Sequence, residues 1–189
     1  MNQPVIAFVG ISGVGKSTLL RTLSQRIKFQ HLQAGVLIKA ARENVPSENL
    51  RNQDIEDNQL LLIEGFHAAK DANAPLIIID GHTVVDTPKG LIGIEPIIFA
   101  QLGITQFIFL ADDSQAISAR RLNDTTKNRP KRTPVELEIH QRQALLSAFS
   151  SARHLNIPLL VVSAEQFENI YSNIRSLIHC QARSSRGRS

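Results

Sequence analysis

Gly10-Ile11-Ser12-Gly13-Val14-Gly15-Lys16-Ser17 satisfies the pattern G-x-x-x-x-G-K-[ST] at every defined position. Immediately before it, Pro4-Val5-Ile6-Ala7-Phe8-Val9 is apolar and β-branched, which predicts a buried strand. After it, Leu19, Leu20, Leu23 and Ile27 recur at helical spacing. Strand, glycine loop and helix in that order are the context this motif requires. The chemistry follows from the backbone: Gly10, Gly13 and Gly15 permit a wrap whose N–H groups point inward, and the helix N-terminus adds a partial positive charge. Gly10, Ser12, Gly13, Val14, Gly15, Lys16, Ser17 and Thr18 are therefore the expected triphosphate-binding set. Lys16 supplies a mobile charge for the β- and γ-phosphates, and the Ser17 hydroxyl is suited to ligate Mg²⁺.

A chain of 189 residues predicts one domain with a proper core. Its 42% hydrophobic and 20% charged residues are ordinary for a globular protein. The single cysteine, Cys180, excludes an internal disulfide and matches no zinc spacing. With no apolar run of bilayer length and no charged leader at Met1, a cytoplasmic protein with no membrane partner is expected. The net charge of +4 is concentrated: Arg183, Arg186 and Arg188 lie in the last seven residues, and without them 18 basic face 17 acidic side chains. A nearly neutral body with one tyrosine and no tryptophan is a poor nucleic-acid platform, leaving only the tail as a candidate nucleic-acid contact.

Going along the chain, His31-Leu32-Gln33 reads as a short second strand and Val36 to Glu43 as a helix. Val45-Pro46-Ser47-Glu48 is a break, with Ser47 able to cap a turn carrying Arg51. Asp54 to Lys70 reads as a longer helix with an apolar stripe of Leu60, Leu61, Ile63 and Phe66. Pro75 to Asp80 is a buried strand ending in an acid and released by Gly81. Thr83 to Pro96, marked by glycine and proline, reads as a loop. A short helix, the strand Gln106 to Leu110, and a helix capped by Asp112 or Asp113 follow. Asn123 to Pro134 is polar and basic; a long helix from Pro134 to about His154, a strand at Ile157 to Val162 and a helix from Ala164 to Ile178 complete the domain. Residues 179–189 are expected to be a basic, disordered tail. This alternation predicts an α/β three-layer P-loop NTPase fold: a doubly wound parallel five-stranded sheet with helices on both faces, with Gly10–Ser17, Asp80–His82 and Asp112 along the carboxyl edge.

The loop alone does not choose among GTPase, ATPase and kinase. Thr126-Lys127-Asn128-Arg129 lacks the aspartate of a guanine-reading [NT]-K-x-D, and Lys89 breaks the D-x-x-G spacing of Asp86 to Gly90. No transporter-type signature is present. A kinase needs an acceptor pocket and a water-excluding device, and Lys127, Arg129, Lys131 and Arg132 have the composition of a cationic lid; a solvated surface loop has the same composition.

Asp80-Gly81-His82-Thr83-Val84-Val85-Asp86-Thr87-Pro88-Lys89-Gly90 resembles the D-x-H-[ST]-x-V-x-T-P-K-G segment of archaeal-type adenylate kinases, a branch of the P-loop nucleoside monophosphate kinases. Arg120-Arg121-Leu122-Asn123-Asp124 is similar to that family's R-R-M-x-D, and Ile139-His140-Gln141 to its lid-exit helix. The resemblance spans about residues 3–178. It implies a P-loop nucleotide kinase domain over 1–178, with acceptor-binding helices at about 34–70 and a lid at about 123–133. It implies that Lys16, Ser17 and Thr18 serve ATP and Mg²⁺, and that Asp80 sits near the metal's water shell. Gly35-Val36-Leu37-Ile38-Lys39 looks like the G-D-M-L-R helix of adenylate kinases, which places Lys39 where an arginine grips the acceptor phosphate. Arg51 and His82 would lie on the acceptor side, and Arg129 and Arg132 would come from the lid as catalytic cations beside Lys16. Two departures stand out: Lys39 replaces a bidentate arginine with a point charge, and Val36 replaces the aspartate. Arg120, Arg129, Arg132 and Arg142 all remain candidates for the lid arginines. His31, His67, His140, His154 and His179 are expected to be surface or structural residues.

The expected activity is thus Mg-ATP-dependent phosphoryl transfer to a small phosphorylated acceptor, a nucleoside monophosphate with AMP first. The alternatives are a kinase for a non-nucleotide small molecule and a regulatory or assembly ATPase acting on RNA or a protein partner through the tail.

Overall fold

The computed structural model describes residues 3–43, 55–87, 90–124 and 130–186. Its centre is β1 (Val5–Val9), all five of whose side chains are buried. Successive strand residues face opposite sides, so complete burial means that both faces of the sheet are covered. The same holds for β6 (Gln106–Leu110). With β2 (Gln30–Gln33), β3 (Ile77–Gly81) and β7 (Leu159–Val162) they form a five-stranded sheet in the order β2-β3-β1-β6-β7, every neighbour parallel. The doubly wound parallel sheet expected from the sequence is therefore present. Leaving β1, the chain first builds β2 and β3 on one side, then β6 and β7 on the other. That reversal makes the carboxyl end of β1 the topological switch point, where open α/β sheets bind ligands. The register sets Phe8 beside Asp80 and Val9 beside both Gly81 and Phe109, which aligns the exits of β1, β3 and β6.

The helices are α1 (Lys16–Ser24), α2 (Ala34–Glu43), α3 (Ile55–Ala69), α4 (Pro96–Gln101), α5 (Ser114–Asn123), α6 (Pro134–Leu155) and α7 (Phe167–Arg186). Asp113 caps α5, accepting from the Gln115 and Ala116 amides at 2.9 Å each. Thr133 and Glu136 form a capping box at the start of α6, with Pro134 in the first turn.

Four expectations are corrected. The segment read as a loop after Thr83 forms an antiparallel hairpin of β4 (Val84–Thr87) and β5 (Gly90–Gly93). Gly90 takes φ +118, and the Thr87 hydroxyl donates to its carbonyl at 2.8 Å, so the glycine serves a hairpin turn. α6 holds the hairpin's base: Thr83 Oγ1 donates to the Ala144 carbonyl at 2.6 Å, and Ser147 Oγ donates to the Thr83 carbonyl at 2.9 Å. Second, α2 starts directly at Ala34, two residues before the expected Val36. Third, the buried stripe of α3 is Leu61, Leu62 and Phe66, while Leu60 is 59% exposed. Fourth, the tail expected to be disordered from residue 179 continues α7 to Arg186, because Gln181-Ala182-Arg183 are good helix formers following an already packed helix. The turn expected at Ser47 and the residues Arg51, Pro88, Lys89, Lys127 and Arg129 lie outside the described residues. Among the described residues, no helix is long and apolar enough to cross a membrane.

α2 and α3 form a tightly joined pair. A Cβ at Gly65 would stand 2.5 Å from the Leu37 backbone carbonyl oxygen. On helix propensity alone, Gly65→Ala should stabilise by about 1 kcal/mol. We expect it instead to destabilise by about 1–3 kcal/mol through overpacking. The denaturation midpoint reads the sign, and a gain in stability would contradict the close approach.

Candidate active site

Gly10, Gly13 and Gly15 take φ values of +154, +86 and +108. A Cβ on Gly10 would lie 2.6 Å from the Leu110 carbonyl oxygen, so the loop cannot carry a side chain there without displacing the end of β6. Gly15 is the left-handed N-cap of α1 and offers no side-chain cap, so the first-turn amides face the cleft uncovered by any cap side chain. The cleft has a volume of about 490 Å³; Ser12, Gly13, Gly15 through Thr18, Gly35, Asp80, His82 and Arg120 are among its walls.

Lys16 is only 7% exposed. Its ammonium donates to the Gly10 carbonyl at 2.9 Å and the Ile11 carbonyl at 3.4 Å, and lies 3.7 Å from Asp80 Oδ1. Ser17 Oγ donates to Asp80 Oδ2 at 3.3 Å. Burial alone would raise the Asp80 carboxyl, but the His31 imidazole together with the Lys16 ammonium outweighs it and holds the group below the usual carboxylate range. Asp80 is therefore an ionised acid beside a hydroxyl. Hard oxygen donors of this kind fit Mg²⁺, which keeps several waters and shares its remaining positions with phosphate oxygens. Among the described residues, no cluster of three or more His, Cys, Asp or Glu side chains forms a protein-only metal cage.

His31 is a residue the sequence reading set aside. Its Nε2 lies 3.9 Å from Asp80 Oδ2, because β2 pairs in register with β3 and brings His31 to the same edge. A strand register is not readable from one segment alone, so no local signal marked it.

His82 Nδ1 lies 2.7 Å from the Gly10 carbonyl oxygen. A carbonyl only accepts, so Nδ1 carries the hydrogen and donates. The ring reaches the solvent of the cleft, yet its protein surroundings and the Lys16 charge push its pKa down, to about 3. It stands where the cleft meets an apolar pocket of about 320 Å³, walled by Ile38, Leu62, Ile79, Val85 and Phe99 with Asn58 and Gln59 at its edge.

The arginines divide into distinct groups. Arg120 Nε donates to the Gly13 carbonyl at 3.0 Å while its Nη2 meets Asp112 Oδ2 at 2.5 Å. Arg121 Nε donates to the Ser12 carbonyl at 2.8 Å. The last turn of α5 thus grips the outer side of the glycine loop. Arg132 is engaged elsewhere: Nη2 and Nε donate to Asp86 at 2.8 and 3.3 Å, and Nη1 to Glu136 at 3.3 Å. It is not among the residues lining the phosphate cleft. Arg142 pairs with Glu138 on the exposed face of α6. His140 is buried, and burial depresses its pKa against the pull of Asp86 and of the Val84 backbone. Lys39, expected on the acceptor, is exposed on α2 and lines neither the cleft nor the apolar pocket. From α2, Ala34, Gly35 and Ile38 line that pocket.

A glycine loop that faces its helix amides toward a cleft, a buried lysine, and an acid paired with the first-turn serine define a P-loop kinase, a phosphotransferase. A family profile described as an AAA domain matches residues 9–138, and the chain belongs to that family. The resemblance to archaeal adenylate kinases is borne out across the chain. The adenylate kinase of Methanothermobacter thermautotrophicus is 23% identical over 184 residues, covering 92% of this chain and 98% of that one. That of Pyrococcus abyssi is 26% identical, covering 92% and 93%. Among solved structures, a shikimate kinase from Bacteroides thetaiotaomicron shares the fold with a TM-score of 0.55 at 16% identity, covering 93% of this chain and 98% of that one.

The Asp86–Arg132 pair has a pH signature. The Arg132 hydrogen bonds hold the Asp86 carboxyl below its ordinary value, so the pair stabilises the fold fully above the unfolded carboxylate pKa of about 3.9 and weakens as pH falls through the lower folded value. The melting-temperature gap between wild type and Asp86→Asn should be constant from about pH 5 to 8 and shrink below about pH 4. A gap that widens on acidification would contradict the pairing.

Proposed function

We propose that the protein transfers the γ-phosphoryl group of ATP to a nucleoside monophosphate, AMP first among candidates. The observation that carries this reading is the continuity of two spaces of opposite character. The polar cleft at the glycine loop opens past Gly35, Gly81 and His82 into the apolar pocket beside α2 and α3. A triphosphate suits the first, and a flat, largely apolar base suits the second. The names of the archaeal relatives support the same acceptor.

In this reading the loop amides and Lys16 bind the β- and γ-phosphates. Arg120 lies at the cleft wall, where its guanidinium can follow the donor. Ser17 and Asp80 would hold Mg²⁺, which when bound neutralises charge on the triphosphate. Asp80 also fixes the Lys16 ammonium and the Ser17 hydroxyl in place. His82 and the α2–α3 pair would position the acceptor so that its phosphate oxygen meets the γ-phosphorus in line. The bond from the γ-phosphorus to the bridging oxygen breaks as the new phosphorus–oxygen bond forms, giving ADP and a nucleoside diphosphate. The attacking oxygen is already ionised, so no general base is required. Arg132 and Arg129 act as lid cations in this reading, Arg132 exchanging Asp86 for the moving phosphoryl group.

A coupled assay across AMP, CMP, UMP, GMP and dTMP should show ADP formation with AMP preferred. Lys16→Met should lower kcat/KM on the order of 100-fold or more with the fold retained. ADP formation no greater than background with all five acceptors would contradict the proposal. A second reading, a kinase for a neutral small molecule, is favoured by one observation: none of the residues lining the apolar pocket carries a formal charge. A thermal-shift panel separates the two, since the true acceptor raises the melting temperature.

A further inference from the structure

Gly65 brings α3 against the backbone of α2, and this close approach sets Arg42 of α2 opposite Asn58 of α3. Arg42 Nη2 donates to Asn58 Oδ1 at 2.5 Å. A guanidinium has donors and no acceptor, so the atom it meets has to be the carboxamide oxygen. The orientation of Asn58 is thereby fixed: Oδ1 is tied to the arginine, and the Nδ2 amino group lies on the opposite branch. Nδ2 has no hydrogen-bond partner among the described residues, and Asn58 forms part of the edge of the apolar pocket. Gln59, next to it on that edge, has no such tether among the described residues. Most of the remaining wall is aliphatic or aromatic.

We propose that Asn58, oriented by Arg42, is a specificity-determining residue of the acceptor pocket, and that its Nδ2 selects an acceptor whose flat apolar body carries a ring nitrogen or carbonyl oxygen at that edge. The inference rests on the nucleoside monophosphate reading and adds to it the polarity of the group being read. A donor already fixed by a charged partner costs little ordering on binding, which lets one hydrogen bond discriminate. A base that offers a C–H at the same place leaves the amino group facing carbon. Arg42 acts through Asn58 and is a positioning residue.

The test uses the full chain with AMP and its 1-deaza, 3-deaza and 7-deaza analogues, each carrying a C–H in place of one ring nitrogen. Asn58→Asp keeps the shape, pairs with Arg42 and removes the donor; circular dichroism and the melting temperature report that the fold is retained. Wild type should lose about tenfold in kcat/KM on one of the three analogues, the size of one lost hydrogen bond. Asn58→Asp should lose about tenfold on AMP and be indifferent to that same ring change. Arg42→Ala, which frees the carboxamide to turn, should narrow the wild-type discrimination, and Arg42→Lys should restore part of it. Identical ratios across the four nucleotides for wild type and Asn58→Asp would overturn the proposal while leaving the kinase reading intact. Absence of transfer to AMP by the wild type would overturn the acceptor reading itself, and this inference with it.

Discussion

The Gly10 carbonyl oxygen accepts two hydrogen bonds at once, from the Lys16 ammonium at 2.9 Å and from His82 Nδ1 at 2.7 Å. Gly10 is pressed against Leu110 so closely that no side chain fits. One peptide group therefore joins the exit of β1, the turn after β3 and the end of β6. The five-stranded sheet supplies the alignment, since β1 pairs with β3 on one side and β6 on the other. A buried ammonium is costly unless it is satisfied. Here two carbonyls and the Asp80 carboxylate satisfy it, so the loop is held with its lysine folded back onto its own backbone.

The same arrangement recurs around the glycine loop. Lys16 rests on Asp80, Arg120 on Asp112, and Arg132 on Asp86. Each of these three cations is held by a carboxylate. Phosphate oxygens are strong charge-assisted acceptors of the same donors, so in the proposed reading a bound phosphate would compete with these carboxylates for their cations. The partners differ in accessibility. Lys16 and Arg120 already face the cleft, whereas Arg132 is anchored to the hairpin and to the first turn of α6. The β4–β5 hairpin is thus more than a connection, because it carries the carboxylate that holds Arg132.

How far the sequence disclosed this depends on whether a feature is local. The strand, loop and helix around Gly10–Ser17 are specified within about 25 residues, and the apolar runs at Ile77–Gly81, Gln106–Leu110 and Leu159–Val162 mark strands without outside help. Asp80 at a strand end was legible for the same reason. The hairpin was not, because Gly90 and Pro88 signal a turn whether or not strands flank it, and the hairpin depends on Thr83 being held by Ala144 and Ser147 far along the chain. Lys39, placed on the acceptor side by resemblance, is exposed on α2, and which side chains of that helix line the pocket depends on how it packs against other elements. His31 was set aside because its partner, Asp80, comes from another strand. Strand register and helix–helix packing are tertiary facts that no single segment discloses.

The central claim is that the loop is pre-formed and that Lys16 needs only to change partner. A crystal structure with Mg²⁺ and a non-hydrolysable ATP analogue tests it most directly. The account predicts the triphosphate wrapped by residues 10–18, with Lys16 Nζ moved from the Gly10 carbonyl to the β- and γ-phosphate oxygens. The His82–Gly10 bond should remain, and the loop backbone should shift by less than about 1 Å, as in pre-organised sites. A triphosphate bound away from the loop, or a loop that refolds to receive it while Lys16 stays on Gly10, would contradict the account.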